Sequence, residues 1–232
     1  LDVGFTVHSP ELFAGDHILD LCSDDEQYRR HSIDELQRVV ELTRKLKQYF
    51  PATTRPVIIT NVGGFTAHAH LSKAEREPLL KRVSDSLSEV DAEGVEIIPQ
   101  TMPPFPWHFG GQRYHNLFID PYEIADFCRQ NEMRICFDIS HSKLACNYFN
   151  WSLSDFVRQV GQYTAHLHIA DASGLDGEGL QLGEGEIDLQ SLAEELRDYA
   201  PQASFIPEIW QGHKNNGEGF WKALRILEQY PF

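Results

Sequence analysis

No apolar run in the 232 residues approaches the roughly 18 needed for a membrane-spanning helix, so no membrane partner is expected. Cysteine is scarce. The four present, Cys22, Cys128, Cys136 and Cys146, show no C-x-x-C spacing, and a chain of this size needs no disulfide staple. They read as reduced thiols. Leu1-Asp2-Val3-Gly4 shows no basic stretch leading into an apolar one, so no address is visible, and the reduced thiols make the expected location cytoplasmic. Positive charge is also short, with 20 Lys and Arg against 35 Asp and Glu and a net charge of -15, which opposes a phosphate backbone. No nucleic-acid partner is expected. Gly (16) and Pro (12) stand at ordinary usage, which excludes collagen-like and low-complexity classes. Neither G-x-G-x-x-G after the first strand nor G-x-x-x-x-G-K-[ST] occurs, which removes the dinucleotide and P-loop classes.

What is present is enough apolar residue, 41%, for one sizeable core, and a short apolar segment followed by a capped amphipathic helix, six times over. The predicted strands are 3–8, 56–62, 95–100, 134–140, 165–170 and 203–209, each apolar enough to be buried on both faces. Ser32 with Glu35, and Ser72 with Glu75, read as capping boxes opening helices. Asp120 before Pro121, Asp188 before Leu189 and Asn216 before Phe220 predict three further helix starts. Asp24-Asp25-Glu26 reads as a solvated acidic face. No linker or composition shift divides the chain, so one domain over 1–232 is expected.

Alternating strand and helix fits an open doubly wound sheet or a closed barrel, and the missing glycine fingerprints favour the barrel. A barrel places reactive groups at the C-terminal ends of separate strands. Here those ends carry His8, Asn61, Gln100, Asp138, His168 and Glu208, one polar group per apolar segment. Oxygen and imidazole groups converging from several strands suit a divalent cation, Mn, Mg, Co or Zn. His141, three residues past Asp138, is a further ligand or a substrate contact. Unpaired carboxylates among Ile135, Phe137 and Ile139, or among Phe205, Ile206 and Ile209, would be costly, which favours a functional reading of Asp138 and Glu208. His166 reads as structural, and His17, His31, His68, His70 and His115 as loop or solvent residues.

At His8-Ser9-Pro10, Gln100-Thr101-Met102-Pro103-Pro104, Phe137-Asp138-Ile139-Ser140-His141, His166-Leu167-His168-Ile169-Ala170-Asp171, Leu182-Gly183-Glu184-Gly185-Glu186-Ile187-Asp188 and Pro207-Glu208-Ile209-Trp210, the chain resembles the xylose isomerase-like barrel superfamily of sugar isomerases, sugar epimerases and apurinic endonucleases. The resemblance implies an α/β fold, a (β/α)8 TIM barrel, of which this chain carries the last six βα units, with the first two strands expected upstream. It also implies metal ligands at Gln100, Asp138, His168 and Glu208. The family usually has Glu where Gln100 stands, so one ligand here loses its charge and its capacity as a base. The endonuclease branch needs a His at Asn61 and an Asp and a His at Gly177 and Gly179, so a trinuclear zinc site is not expected.

The resulting expectation is a metal-dependent sugar or sugar-derivative isomerase or epimerase that moves a proton beside a metal-chelated carbonyl. Glu208 is the base, with His141 and His8 as further catalytic candidates. Substrate contacts are expected from Asn61, from Trp107 and Phe109 in the proline-rich loop 102–111, and from Lys214, which suits an anionic substituent. The loop equally reads as self-packed and the Lys214 turn as solvated. The partner is a small carbohydrate, and self-association is open. Alternatives are a non-catalytic sugar-binding or assembly barrel with a degraded metal site, for which Gln100 is the support, an inosose-type dehydratase, or an apurinic endonuclease, which the charge and missing ligands disfavour.

Overall fold

The computed structural model describes residues 3–108 and 111–231. It divides between Gln100 and Thr101 into two compact units. In the first unit, β1 (Thr6–His8), β2 (Val57–Thr60) and β3 (Glu96–Pro99) form a parallel sheet in that order, with His8 opposite Ile59 and Thr60 opposite Pro99. In the second, β4 (Ile135–Asp138), β5 (Thr164–Ile169) and β6 (Ser204–Pro207) do the same, with Asp138 opposite His168 and His168 opposite Ile206. All six predicted strands form, five of them shorter than predicted and β5 shifted by one residue. At 134–140 the chain turns helical directly after Asp138, whose carboxylate caps the next helix.

Helices α1 (Glu26–Lys47) and α2 (Lys73–Glu89) belong to the first unit. The Ser32–Glu35 box does not form: α1 starts two turns earlier at Asp25, whose side chain accepts from the Gln27 and Tyr28 N–H groups. Ser32 is instead buried mid-helix, where its hydroxyl accepts from Asp20 N–H at 3.0 Å and meets His17 Nε2 at 2.9 Å. The acidic run is therefore a helix start: Glu26 pairs with Arg29 and Arg30 one turn on. The Ser72–Glu75 box is present as predicted. Burial of Ile33, Leu36, Val39 and Val40 at i, i+3, i+6 and i+7 gives α1 its inner face.

The second unit carries α3 (Pro121–Asn131), α4 (Ile139–Phe149), α5 (Leu153–Val160), α6 (Leu189–Tyr199) and α7 (Lys214–Leu227). Asp120 and Asp188 cap α3 and α6 as the sequence predicts. Asn216 does not cap α7. It sits left-handed at φ 61, between Asn215 at φ 51 and Gly217 at φ 81, so the first turn of that segment is not α-helical. Phe137 on β4 and Phe156 on α5 are fully buried and stacked, ring centroids 5.4 Å apart; truncating either to Ala costs about 3–5 kcal/mol.

Burial on both faces holds for β4 and β5 but fails for β1 and β6. Those two lie at sheet edges, and Phe205 and Ile206 of β6 are 41% and 39% exposed. His17 and His115, expected in solvent, are buried. His166 is buried as a structural residue, its Nδ1 2.7 Å from Ser204 Oγ. Within the proline-rich loop, Trp107–His108 pairs antiparallel with Gly111–Gln112. All four cysteines are buried and unbridged, and among the described residues no helix is long and apolar enough to cross a membrane.

Candidate metal centre

Asp138 ends β4, His168 is the penultimate residue of β5 and Glu208 follows β6, so three adjacent parallel strands deliver one donor each to the same end of the sheet. Their ligand atoms lie within 4.8 Å of one another. His168 Nδ1 is 3.5 Å from Asp138 Oδ2 and 2.7 Å from Glu208 Oε2. Two carboxylates and one imidazole are a donor set for a divalent cation. Asp138 and His168 are buried, whereas the Glu208 side chain is 47% exposed. That exposure corrects the expectation of a Glu208 enclosed by apolar neighbours, because Phe205 and Ile206 are themselves open.

Asp138 is held from several sides. Its Oδ1 accepts from His141 N–H at 2.9 Å and Ser140 Oγ–H at 3.1 Å, which fixes the carboxylate at the electropositive start of α4. Its backbone N–H donates to Thr101 Oγ1 at 2.9 Å. Burial alone would raise its pKa, but the His141 and His168 imidazoles and these hydrogen bonds hold it well below the carboxylate range. For His168 burial opposes protonation, and the Cys136 sulfur with the Asp138 and Glu208 carboxylates outweighs it, so its pKa stands well above the ordinary value.

His141 extends the site. Its Nδ1 lies 3.0 Å from the Thr101 carbonyl, which places a proton on that nitrogen, and its Nε2 lies 3.5 Å from Glu178 Oε2. Burial is again opposed, here by Asp138, Glu178 and Glu208, and its pKa is raised. Glu178 and Thr101 were not visible as site residues in the sequence. Glu178 sits in a glycine-flanked stretch, Gly177–Leu180, that pairs antiparallel with Asp171–Ser173 after β5.

That hairpin is tied down by Asp171, fully buried, whose carboxylate accepts from the N–H groups of Ala172, Gly183, Gly185 and Ile187 at 2.9–3.1 Å. Gly185 has no alternative there, since a Cβ would lie 2.3 Å from Asp171 Oδ1. The H-L-H-I-A-D and L-G-E-G-E-I-D segments are thus two halves of one structural clamp.

The remaining predicted residues divide. His8 and Gln100 meet in the first unit, His8 Nε2 to Gln100 Oε1 at 2.7 Å, while His8 Nδ1 lies 2.7 Å from Ser9 O. A neutral ring donating from Nδ1 to that carbonyl must accept at Nε2, so Gln100 then presents its NH2 there with the amide turned over. Asn61, in the same unit, donates from Nδ2 to Glu11 Oε1. In the second unit Trp107 is 65% exposed and Lys214 Nζ donates to Gln211 Oε1 at 2.8 Å on the surface. Phe109 lies outside the described residues.

With this geometry in place, comparison assigns the family: the xylose isomerase-like TIM barrel model matches residues 1–230, and the chain belongs to that family. No curated protein matches it. Among solved structures it is similar to a D-tagatose 3-epimerase-like protein, with 22% identity, TM-score 0.66, 97% of this chain and 78% of that one covered. It is also similar to an L-ribulose 3-epimerase, with 14% identity, TM-score 0.65, and 91% and 70% covered. Endonuclease IV from Thermus thermophilus matches with 16% identity, TM-score 0.61, and 97% and 76% covered. At these identities the likeness is one of fold.

Proposed function

We propose that the chain is a metal-dependent isomerase or epimerase of sugars or sugar derivatives, acting by proton transfer beside a carbonyl. The observation that carries this reading is the convergence of Asp138, His168 and Glu208 within 4.8 Å from three adjacent strands. A divalent cation held by these three, Mn, Mg, Co or Zn, would polarise a carbonyl and its neighbouring hydroxyl and make the adjacent C–H more acidic. Gln100 is proposed as a weak fourth ligand through its amide oxygen. Glu208 is the member of the group that solvent reaches, and so the one a substrate can meet as a base. His141 presents Nε2 beside Glu178, where it can donate to or accept from a sugar hydroxyl. His8, Asn61, Trp107, Phe109 and Lys214 are proposed as further substrate-side groups. The epimerases among the similar structures support carbohydrate chemistry, and the net charge of -15 weighs against a nucleic-acid substrate. A single domain, a cytoplasmic location and self-association are proposals on the same footing.

The second reading is a non-catalytic sugar-binding or assembly subunit, favoured by Gln100 standing where a charged ligand is expected. Deuterium incorporation from solvent into ketoses, aldoses and inososes separates the two. An enzyme incorporates deuterium when supplied with Mn, and Glu208→Gln abolishes it. Incorporation that survives Glu208→Gln refutes the assignment of the base, and none across the panel supports the binding subunit.

A further inference from the structure

The second unit holds a cavity of about 380 Å³ whose walls include Gln181, Glu184, Trp210, Lys214, Glu218 and Lys222. Trp210 N–H donates to Gly179 O at 2.7 Å, so the hairpin that carries Glu178 to His141 is joined to the segment that begins at Glu208. The two segments pass closely there: a Cβ on Gly179 would lie 3.3 Å from Trp210 N, and its φ of 67 is left-handed.

We propose that this cavity is a binding subsite for an uncharged sugar ring. This rests on the carbohydrate reading above and deepens it.

The chemistry of the walls selects the class. Trp210 is 76% exposed, a flat apolar face of the kind that packs on the C–H side of a pyranose. The charges cancel, two lysines against two glutamates, and each is already engaged. Lys222 Nζ lies 3.1 Å from Glu184 Oε1, Lys214 Nζ donates to Gln211 Oε1 at 2.8 Å, and Asn215 Nδ2 donates to Glu218 Oε2 at 2.8 Å. A phosphate or carboxylate would find its cations shared with carboxylates and amides. A hydroxyl, which both donates and accepts, fits such pairs without breaking them. Gln181 adds an amide that is only 9% exposed and whose buried Nε2 has no hydrogen-bond partner among the described residues, a donor that a ligand acceptor would satisfy once the amide rotates toward it. Lys214 thereby serves a neutral ring, in place of the anionic substituent that its charge alone suggests.

The test reads binding without turnover. The protein is labelled with 5-fluorotryptophan and titrated, metal-loaded, with methyl β-D-glucoside and separately with inorganic phosphate. The account expects a saturable shift of the Trp210 fluorine resonance with the glucoside in the millimolar range and none with phosphate. Trp210→Phe identifies the resonance. Trp210→Ala weakens glucoside binding about tenfold, measured by ligand-observed saturation transfer, because the stacking face is lost. Mn affinity of the Asp138 group stays unchanged in that variant. A Trp210 resonance that answers to phosphate alone, or to neither probe, overturns the subsite. Loss of Mn binding with glucoside binding intact would instead fault the metal-centre reading.

Discussion

Replacing Asp171 by Asn should cost far more stability than an exchange of one atom suggests. Its two carboxylate oxygens each accept two backbone N–H groups, Ala172 and Ile187 on Oδ1, Gly183 and Gly185 on Oδ2. An asparagine retains one oxygen and turns an NH2 toward the other pair, leaving two N–H groups facing a donor in a site with no exposed surface. At about 1–3 kcal/mol for each buried group left unsatisfied, and with some relaxation of the 181–187 loop, the expected loss is about 3–5 kcal/mol. Urea unfolding followed by far-UV circular dichroism measures it as a shift in midpoint at constant slope. Asp176→Asn, at an exposed position on the same hairpin, serves as the control and should stay within about 0.5 kcal/mol. An Asp171→Asn loss under about 1 kcal/mol would refute the clamp. Because the clamped hairpin carries Glu178, the same variant should also release His141 from its second carboxylate.

The metal-free protein should show a definite pH dependence. His168 has a raised folded pKa, so its contribution to stability is complete below its ordinary value near 6.5 and is lost as pH rises through the folded value. Asp138 runs the other way, contributing above the ordinary 3.8 and losing that contribution as pH falls through its lowered folded value. Mn binding displaces the His168 proton, so Mn affinity measured by calorimetry should rise with pH across the histidine window; a flat profile would contradict the ligand assignment. Gln100→Glu places a carboxylate on His8 Nε2 and should move the His8 ring-nitrogen resonances in an NMR spectrum, whereas no change would show the 2.7 Å contact to be absent. Ser72→Ala removes half of the α2 capping box and should cost about 1 kcal/mol in thermal unfolding; no loss would mean that Glu75 alone serves the α2 start.

Most of the architecture was legible because apolar runs and caps are local signals. Asp120, Asp188 and Ser72 open their helices where the pattern placed them, and the three candidate ligands Asp138, His168 and Glu208 fall at ends of strands that pair side by side. What was hidden is what depends on distant residues. Ser32 has the spacing of a cap, but contacts with Asp20 and His17 make it a buried link, and Asp25 does the capping. Phe205 and Ile206 are exposed although their segment is as apolar as that of β4, which also lies at a sheet edge and is buried, so an apolar run by itself does not reveal exposure. Glu178 gave no signal at all: its role arises from a hairpin fixed by Asp171, three of whose four partners lie 12 to 16 residues away in sequence.

The central claim is that Asp138, His168 and Glu208 hold a divalent cation, and a crystal soaked in Mn, with diffraction collected for anomalous scattering, tests it most directly. The account predicts an anomalous peak about 2.0–2.2 Å from an oxygen of Asp138, a nitrogen of His168 and an oxygen of Glu208, lost in Asp138→Asn. A peak at other residues, or none at these three with Mn present in excess, would contradict it.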